Sequence, residues 1–340
     1  MKCDLNNMKK GGYIHNQIYE YIKTILEPNI KLYDLANNIE NKIIELTCHE
    51  PKKPTQQGIA FPTGLSINNC VAHWTPSIDS KQILMENDVI KIDYGVHFNG
   101  SIIDSAFTHC FNEKYTPLLD ASRTSTEIAI KMMRPDQLIN EIGKAIEENM
   151  SSYEIELDNK IHQIKSVQSL CGHEINQYEI HGNKAIPNIY VENYKERVNS
   201  DEYYAVETFA TTGTGLTYED NDNCSHFMIN YNREIKKRDI PNNCNQIYKF
   251  IMQYYHTLAF TDRWIIGKYL MKNNKKEKIT EKNWNKYIDN LHKSKIVNKY
   301  PPIYDTDNKS YSSQFEESIY VSETYTQILS KINNDRKIEQ

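Results

Sequence analysis

Four carboxylates and two histidines fall where strand-like sequence would aim them into a shared space. The first pair lies in VIKIDYGVHFNGSIIDSAFT, residues 89–108, two runs of alternating character on either side of Asn99-Gly100. Asn-Gly between such runs is a strong hairpin signal, because both turn residues must take positive φ. A hairpin about that turn sets Gly95 opposite Asp104, which makes Asp93 a diagonal neighbour of Asp104 on the same face, about 7–8 Å away at the backbone. Ile92, Tyr94, Val96 and Phe98 then share the other face with Ile103 and Phe107. Two acids in one space with no nearby cation repel, so such a pair shares a proton or binds metal. The hairpin alone leaves open a pair of solvated edge acids.

Other residues weigh against that alternative. In GHEINQYEIH, residues 172–181, His173 and His181 are an even number apart, so a regular strand would place both on one face. Glu207 lies among apolar and β-branched neighbours in YYAVETFATTG, and Glu316 has similar surroundings in SQFEES. A buried acid is costly unless it is paired or bound to metal. Asp93, Asp104, His173, Glu207 and Glu316 therefore match what a pair of oxygen-preferring divalent ions requires.

The elements that must position these residues recur in order. Ile14, Ile18, Tyr21, Ile22 and Ile25 have helical spacing that stops at Glu27-Pro28, and residues 32–47 repeat it. Extended segments follow from Ile59 to about Phe111. Helical patterning returns from Tyr115 to Met133 and breaks at Arg134-Pro135. Asp136 is then expected to cap a helix marked by Leu138, Ile142, Ala145 and Ile146. Extended segments run on to about Thr212. Helix, helix, strands, then the same again, predicts two similar halves sharing one sheet. From Cys224 to Tyr300 the sequence turns helix-rich, with a lysine-rich link KNNKKEK that reads as a solvated loop. After it SSQFEESIYVS returns to the sheet. The parts expected are thus 1–50 helical, 51–223 core, 224–300 insertion, and 301–340 return strand and tail.

Composition excludes several classes. With 45 acidic and 40 basic side chains, a net charge of −5 gives no dedicated hold on nucleic acid. Seven scattered cysteines without a C-x-x-C pair suggest neither a disulfide framework nor a zinc knuckle, and no apolar run reaches membrane-spanning length. A cytoplasmic enzyme is expected.

In ordered blocks the sequence resembles the methionine aminopeptidases, and specifically their type 2 branch. The blocks are AFPTGLSINNCVAHWTP, KIDYG with IIDSAFT, GHEINQYEIHGNK, AVETFATTGTG, NCSHFM, TLAF, YPP and QFEES, spanning about residues 50 to 330. The resemblance implies the pita-bread α/β fold, with two pseudo-symmetric halves around a curved antiparallel sheet and the helical insertion typical of type 2. It implies that Asp93 chelates one metal, that Asp104 and Glu316 bridge two, and that His173 and Glu207 complete the other. His73 matches the histidine that contacts the scissile peptide and is the target of fumagillin-type epoxides, and His181 matches the one facing the reacting carbonyl. Phe61, Ile180, His226, Ala259 and Tyr300 match the wall of the methionine pocket.

The activity implied is removal of initiator methionine from nascent chains whose second residue is small. Hydroxide between two ions, of Mn, Fe, Co or Zn, would attack the first peptide bond, with Glu207 taking its proton. The sequence departs from animal type 2 members in lacking their long polybasic and polyacidic N-terminal extension, which puts regulatory binding to ribosome or initiation factor in doubt. Nascent N-termini are the expected partners, with the ribosome a candidate. A prolidase or X-Pro aminopeptidase would share the five ligands, but the HWTP block and the insertion argue against it. An adaptor without catalysis would lack ligands, and this chain keeps all five. The remaining histidines, His15, His49, His97, His109, His162, His256 and His292, have no assigned role.

Overall fold

The computed structural model describes residues 1–266, 281–330 and 337–339. The lysine-rich link KNNKKEK lies outside the described residues. Helix α1 (Leu5–Ile25) begins earlier than its apolar periodicity suggests, because Asp4 accepts a hydrogen bond from the Asn7 N–H and caps the first turn. Gly11 sits inside this helix where a Cβ would stand 2.9 Å from Ile103, so the absent side chain allows helix and sheet to close up. Helix α2 (Leu32–Leu46) packs its Leu32, Leu35, Ile39 and Ile43 face with α1 against the first set of strands.

Those strands are β1 (Gln57–Ile59), β2 (Gly64–Ile67), β3 (Cys70–Ala72), β4 (Val89–Phe98) and β5 (Ser101–Cys110). The β4–β5 hairpin has the expected register, Gly95 opposite Asp104 and Phe98 opposite Ser101, and both turn residues have positive φ.

The second half begins with α3 (Thr116–Met132) and α4 (Ile139–Met150). The expected Asp136 cap is corrected. Leu138 occupies the cap position without a side-chain bond, and Asp136 stands in a turn at φ +65° with its N–H bonded to Val198 O. The strands are β6 (Glu154–Leu157), β7 (Lys160–Gln163), β8 (Lys165–Ser166), β9 (Cys171–Glu174), β10 (Ala185–Pro187) and β11 (Glu202–Thr211). Strand β12 (Thr217–Glu219) belongs to a small separate sheet.

The insertion is not purely helical. Around α5 (Asn245–Tyr254) and α6 (Glu281–Lys293) it builds a sheet with β13 (His226–Ile229) at its centre, flanked by β14 (Phe260–Thr261) and β15 (Val297–Tyr300). Phe227, Phe250, Phe260 and Trp284 fill its own core. The chain then passes through β16 (Ile303–Asp305) to β17 (Ser312–Val321) and β18 (Tyr325–Ile328).

Two helix-helix-strand halves around antiparallel strands are as expected, with one refinement. The shared sheet consists of two backbone ladders, β1-β4-β2 with β5, and β10-β9-β11-β17-β18-β19 with β8, where β19 is Lys337–Glu339. Hydroxyls stitch β5 to β17. Ser318 Oγ bonds both the N–H and the C=O of Asp104, Ser105 Oγ donates to Glu316 O, and Thr108 Oγ1 bonds both the C=O and the N–H of Gln314. This seam carries the acids.

Candidate metal centre

Each of the five side chains expected to chelate metal comes from a different strand, and pairing explains their approach. Gly64 of β2 lies opposite Asp93, Gly95 opposite Asp104, and Ala205 opposite His173, while Glu207 and Glu316 face each other directly across β11 and β17. Like charges directly opposite in a ladder are destabilising without a cation. Donor atoms of Asp104, His173 and Glu316 lie within 4.8 Å of one another. His173 Nε2 is 3.5 Å from Asp104 Oδ2 and 3.9 Å from Glu207 Oε1.

Burial and mutual repulsion shape the protonation of this cluster. Burial first, then the charge of Asp104, pushes Asp93 well above the usual carboxylate range. Glu207 is raised by burial and then by Asp104 and Asp93, and Glu316 by burial and then by Asp104, Glu207 and Asp93. Among the described residues no lysine or arginine forms an ion pair with any of these acids.

The same cavity holds all the other residues expected at the site. His73, His181, Phe61, Ile180, His226, Ala259 and Tyr300 line it together with Asp93, Asp104, His173, Glu207 and Glu316. The Tyr300 ring stands 5.9 Å from that of His73 and 5.8 Å from that of His181. Burial lowers His73 to about 4 and His226 to about 3, and takes His181 well below its ordinary value, so these imidazoles are neutral near pH 7. His73 holds φ +66°, an uncommon conformation for a side chain-bearing residue.

His173 and His181 do meet, with ring centroids 4.6 Å apart, but not through strand period. Strand β9 ends at Glu174, and the following loop folds back on an isolated Asn176–Glu179 bridge. His181 is held there by Tyr231, whose hydroxyl bonds both the backbone N–H and C=O of His181. Neither His97 nor His109, although both lie on the acid hairpin, lines the cavity.

Gln314 is the residue that sequence reasoning passed over. Its Nε2 donates to Glu207 Oε2 at 3.2 Å and its amide also lowers Asp93. Its place two residues before Glu316, on the same face of a strand, was the available signal. Gly95 is a second omission: a Cβ there would stand 2.1 Å from the Phe61 ring, so glycine makes room for the pocket wall.

The profile of metallopeptidase family M24 matches residues 6–240. Methionine aminopeptidase 2A of Arabidopsis thaliana is 37% identical over 326 residues, covering 96% of this chain and 70% of that protein. The chain belongs to metallopeptidase family M24, in its methionine aminopeptidase 2 branch. Among solved structures it is similar to a thermophilic Arx1 (TM-score 0.75, 15% identity, covering 96% of this chain and 91% of that one). A methionine aminopeptidase from Thermotoga maritima gives a TM-score of 0.60 at 17% identity and 96% of both chains. At such identities these two likenesses bear on fold alone.

The family is one of divalent-metal enzymes, and the residues present fit such ions. Asp93 Oδ1 and Glu316 Oε2 are buried without a hydrogen-bond partner. A cluster of carboxylates with one imidazole is a donor set for hard or borderline divalent cations. All seven cysteines are unpaired, and no helix among the described residues is long and apolar enough to cross a membrane.

Proposed function

We propose that this M24 enzyme removes the initiator methionine from nascent proteins whose second residue is small, using two divalent ions held by Asp93, Asp104, His173, Glu207 and Glu316. One observation carries this reading: the five chelating residues and the apolar wall of Phe61, Ile180, Ala259 and Tyr300 line a single cavity. When bound, the ions supply Lewis acidity toward the scissile carbonyl and a water of lowered pKa. Mn, Fe, Co and Zn all suit the donor set.

The chain's own groups supply the rest. Glu207 accepts the proton of the attacking water, with Gln314 holding its other oxygen. His181, neutral at physiological pH, donates to the developing oxyanion, and His73 hydrogen-bonds the scissile amide. Phe61, Ile180, His226, Ala259 and Tyr300 enclose the thioether, whose flexibility suits an irregular apolar wall. His73 Nδ1 is buried without a partner, which supports the expectation that a fumagillin-type epoxide would alkylate this residue. Nascent chains in the cytoplasm, emerging at the ribosome, are the proposed substrates, and segment 224–300 is read as a unit inserted between the fourth and fifth ligands.

The test is methionine release from Met-Ala-Ser and from an Ala-Pro peptide, with added Mn or Co and again after chelation. Metal-dependent cleavage of Met-Ala-Ser alone supports the proposal. Cleavage of Ala-Pro places the chain with the prolidase-like members, and cleavage of neither with metal bound refutes catalysis.

A further inference from the structure

One buried ion pair joins the insertion to the core at a place the chemistry above does not use. Arg263, just after β14, grips Glu40 of α2 through two parallel bonds, Nη1 to Oε2 at 2.5 Å and Nη2 to Oε1 at 2.6 Å. The two side chains are 2% and 5% exposed. Three further bonds of the pair run to segments that carry a pocket residue. Glu40 Oε1 accepts the N–H of Thr63, two residues after Phe61. Arg263 Nη2 donates to Thr75 Oγ1, two residues after His73, and Nε donates to Pro76 O.

The network then closes on itself. Thr75 Oγ1 donates to Thr63 O, and Ser225 Oγ donates to Thr75 O. His226 Nδ1 lies 3.2 Å from His73 O. Trp264 Nε1 donates to the second Glu40 oxygen. Ala259 is four residues before Arg263 on the same passage of chain.

Physics separates this arrangement from simple stabilisation. A buried ion pair is no better for stability than apolar side chains of the same volume, because two charges must be stripped of water. What a guanidinium fork against a carboxylate provides is direction, fixing angle as well as distance. Here the directions it fixes are those of the loops bearing Phe61 and His73.

We infer that the Glu40–Arg263 pair is a positioning clamp that sets the shape, and so the side-chain selectivity, of the pocket. This rests on the aminopeptidase reading, since Phe61, His73, His226 and Ala259 are pocket residues only in that reading. The clamp makes the insertion part of the specificity machinery: moving it relative to α2 changes what the pocket accepts and leaves the chelating strands alone.

The double variant Glu40→Leu/Arg263→Met tests this on metal-loaded enzyme, because an apolar pair leaves no buried charge unpaired. Its preference for Met-Ala-Ser over Leu-Ala-Ser, as a ratio of kcat/KM, should fall about tenfold, mainly through a higher KM for the methionine peptide. Metal content should match wild type, while Tm should fall by a few degrees, because the Thr63 N–H and Trp264 Nε1 lose their acceptor. Amide exchange at Thr63 should quicken about tenfold while β4 and β5 exchange as before. Arg263→Lys, which keeps the charge and loses the fork, should fall between wild type and the double variant. An unchanged selectivity ratio with unchanged exchange at Thr63 overturns the clamp. Loss of metal in the double variant also overturns it, in favour of a structural role. Wild-type protein that releases no methionine overturns the aminopeptidase reading and this role with it, whereas active wild type with an unselective clamp defect absent overturns the clamp alone.

Discussion

The metal centre and the apolar pocket share one cavity but are built in opposite ways. Asp93, Asp104, His173, Glu207 and Glu316 all project from paired strands, where the backbone is fixed by ladder bonds. The pocket wall instead comes from turns and from the insertion: Phe61 follows β1, Ile180 and His181 sit on the loop after β9, and His226, Ala259 and Tyr300 belong to the segment between Cys224 and Tyr300. His226 and Tyr300 pair as strands of one small sheet, and among the described residues side-chain bonds join that segment to the rest of the wall, through Tyr231 on His181, Thr257 on the Tyr178 C=O, Ser225 on the Thr75 C=O and Arg263 with Glu40. Charge chemistry needs positions that do not give, and strands provide them. Selectivity is a matter of shape, which separately attached segments can tune without disturbing the ions.

If the division is real, substitutions on its two sides should fail differently. Asp104→Ala or Glu316→Ala should lose bound metal and lower kcat/KM by at least about 10⁴-fold, since the nucleophile goes with the ions. Metal analysis of the purified variants checks this, and a fully loaded Asp104→Ala protein would break the comparison. His181→Ala should keep its metal and lose about 10²–10³ in kcat, the scale of one oxyanion donor. Phe61→Ala should act mostly on KM, by about tenfold, with kcat nearly unchanged. Gly95→Ala sharpens the comparison, because its new methyl pushes the Phe61 ring from a strand of the rigid side. It should reproduce the Phe61→Ala selectivity defect at full metal occupancy.

The acid cluster also makes a prediction about stability without metal. Asp93, Glu207 and Glu316 all have raised values in the folded chain. These three acids therefore keep protons that the unfolded chain has released, a contribution that falls as pH rises, while the buried histidines His15, His73, His97, His181 and His226, with lowered values, contribute the opposite slope below about pH 6.5 in apo and metal-loaded protein alike. The sign follows directly: a raised carboxylate value contributes stability at low pH and loses it as pH climbs through that value. The Tm of chelated protein should therefore drop relative to that of metal-loaded protein between about pH 5 and pH 8. Parallel melting curves decide it, and a gap between the two that does not widen over this range would contradict the repulsive cluster.

The two regions also differed in how much the sequence disclosed. The hairpin was readable to the residue because Asn99-Gly100 dictates one turn type, and one turn type dictates one register. The repeat of two helices and strands was readable from periodicity alone. His181 was placed on the correct side for a reason that does not operate, since β9 stops before it and a loop does the work. No local pattern announces such a loop, because its conformation is set by Tyr178 and Tyr231 reaching across to Thr55 and His181. The Glu40–Arg263 pair is invisible for the same reason, its members being 223 residues apart. The sheet inside the insertion escaped because its strands are two to four residues long and lie between stronger helical signals. Asp136 failed as a cap because a positive φ took it out of the approach to α4.

The smallest effect lies at the seam between the two ladders, and it bears on why the metal side is rigid. Ser318 Oγ satisfies both backbone groups of Asp104, so Ser318→Ala strands a buried N–H and a buried C=O beside a chelating residue. Such orphaned groups cost about 1–3 kcal/mol, a fall of a few degrees in Tm. The carboxylate of Asp104 would still be directed by its opposite partner Gly95 and by the β4–β5 ladder. Metal affinity should therefore weaken by only about two- to fivefold, and kcat at saturating metal should stay within about twofold of wild type. Titration of metal into the apo variant distinguishes two origins of rigidity. A loss of affinity near that for Asp104→Ala would mean that the hydroxyl stitches, and not the ladders, hold the ions in place.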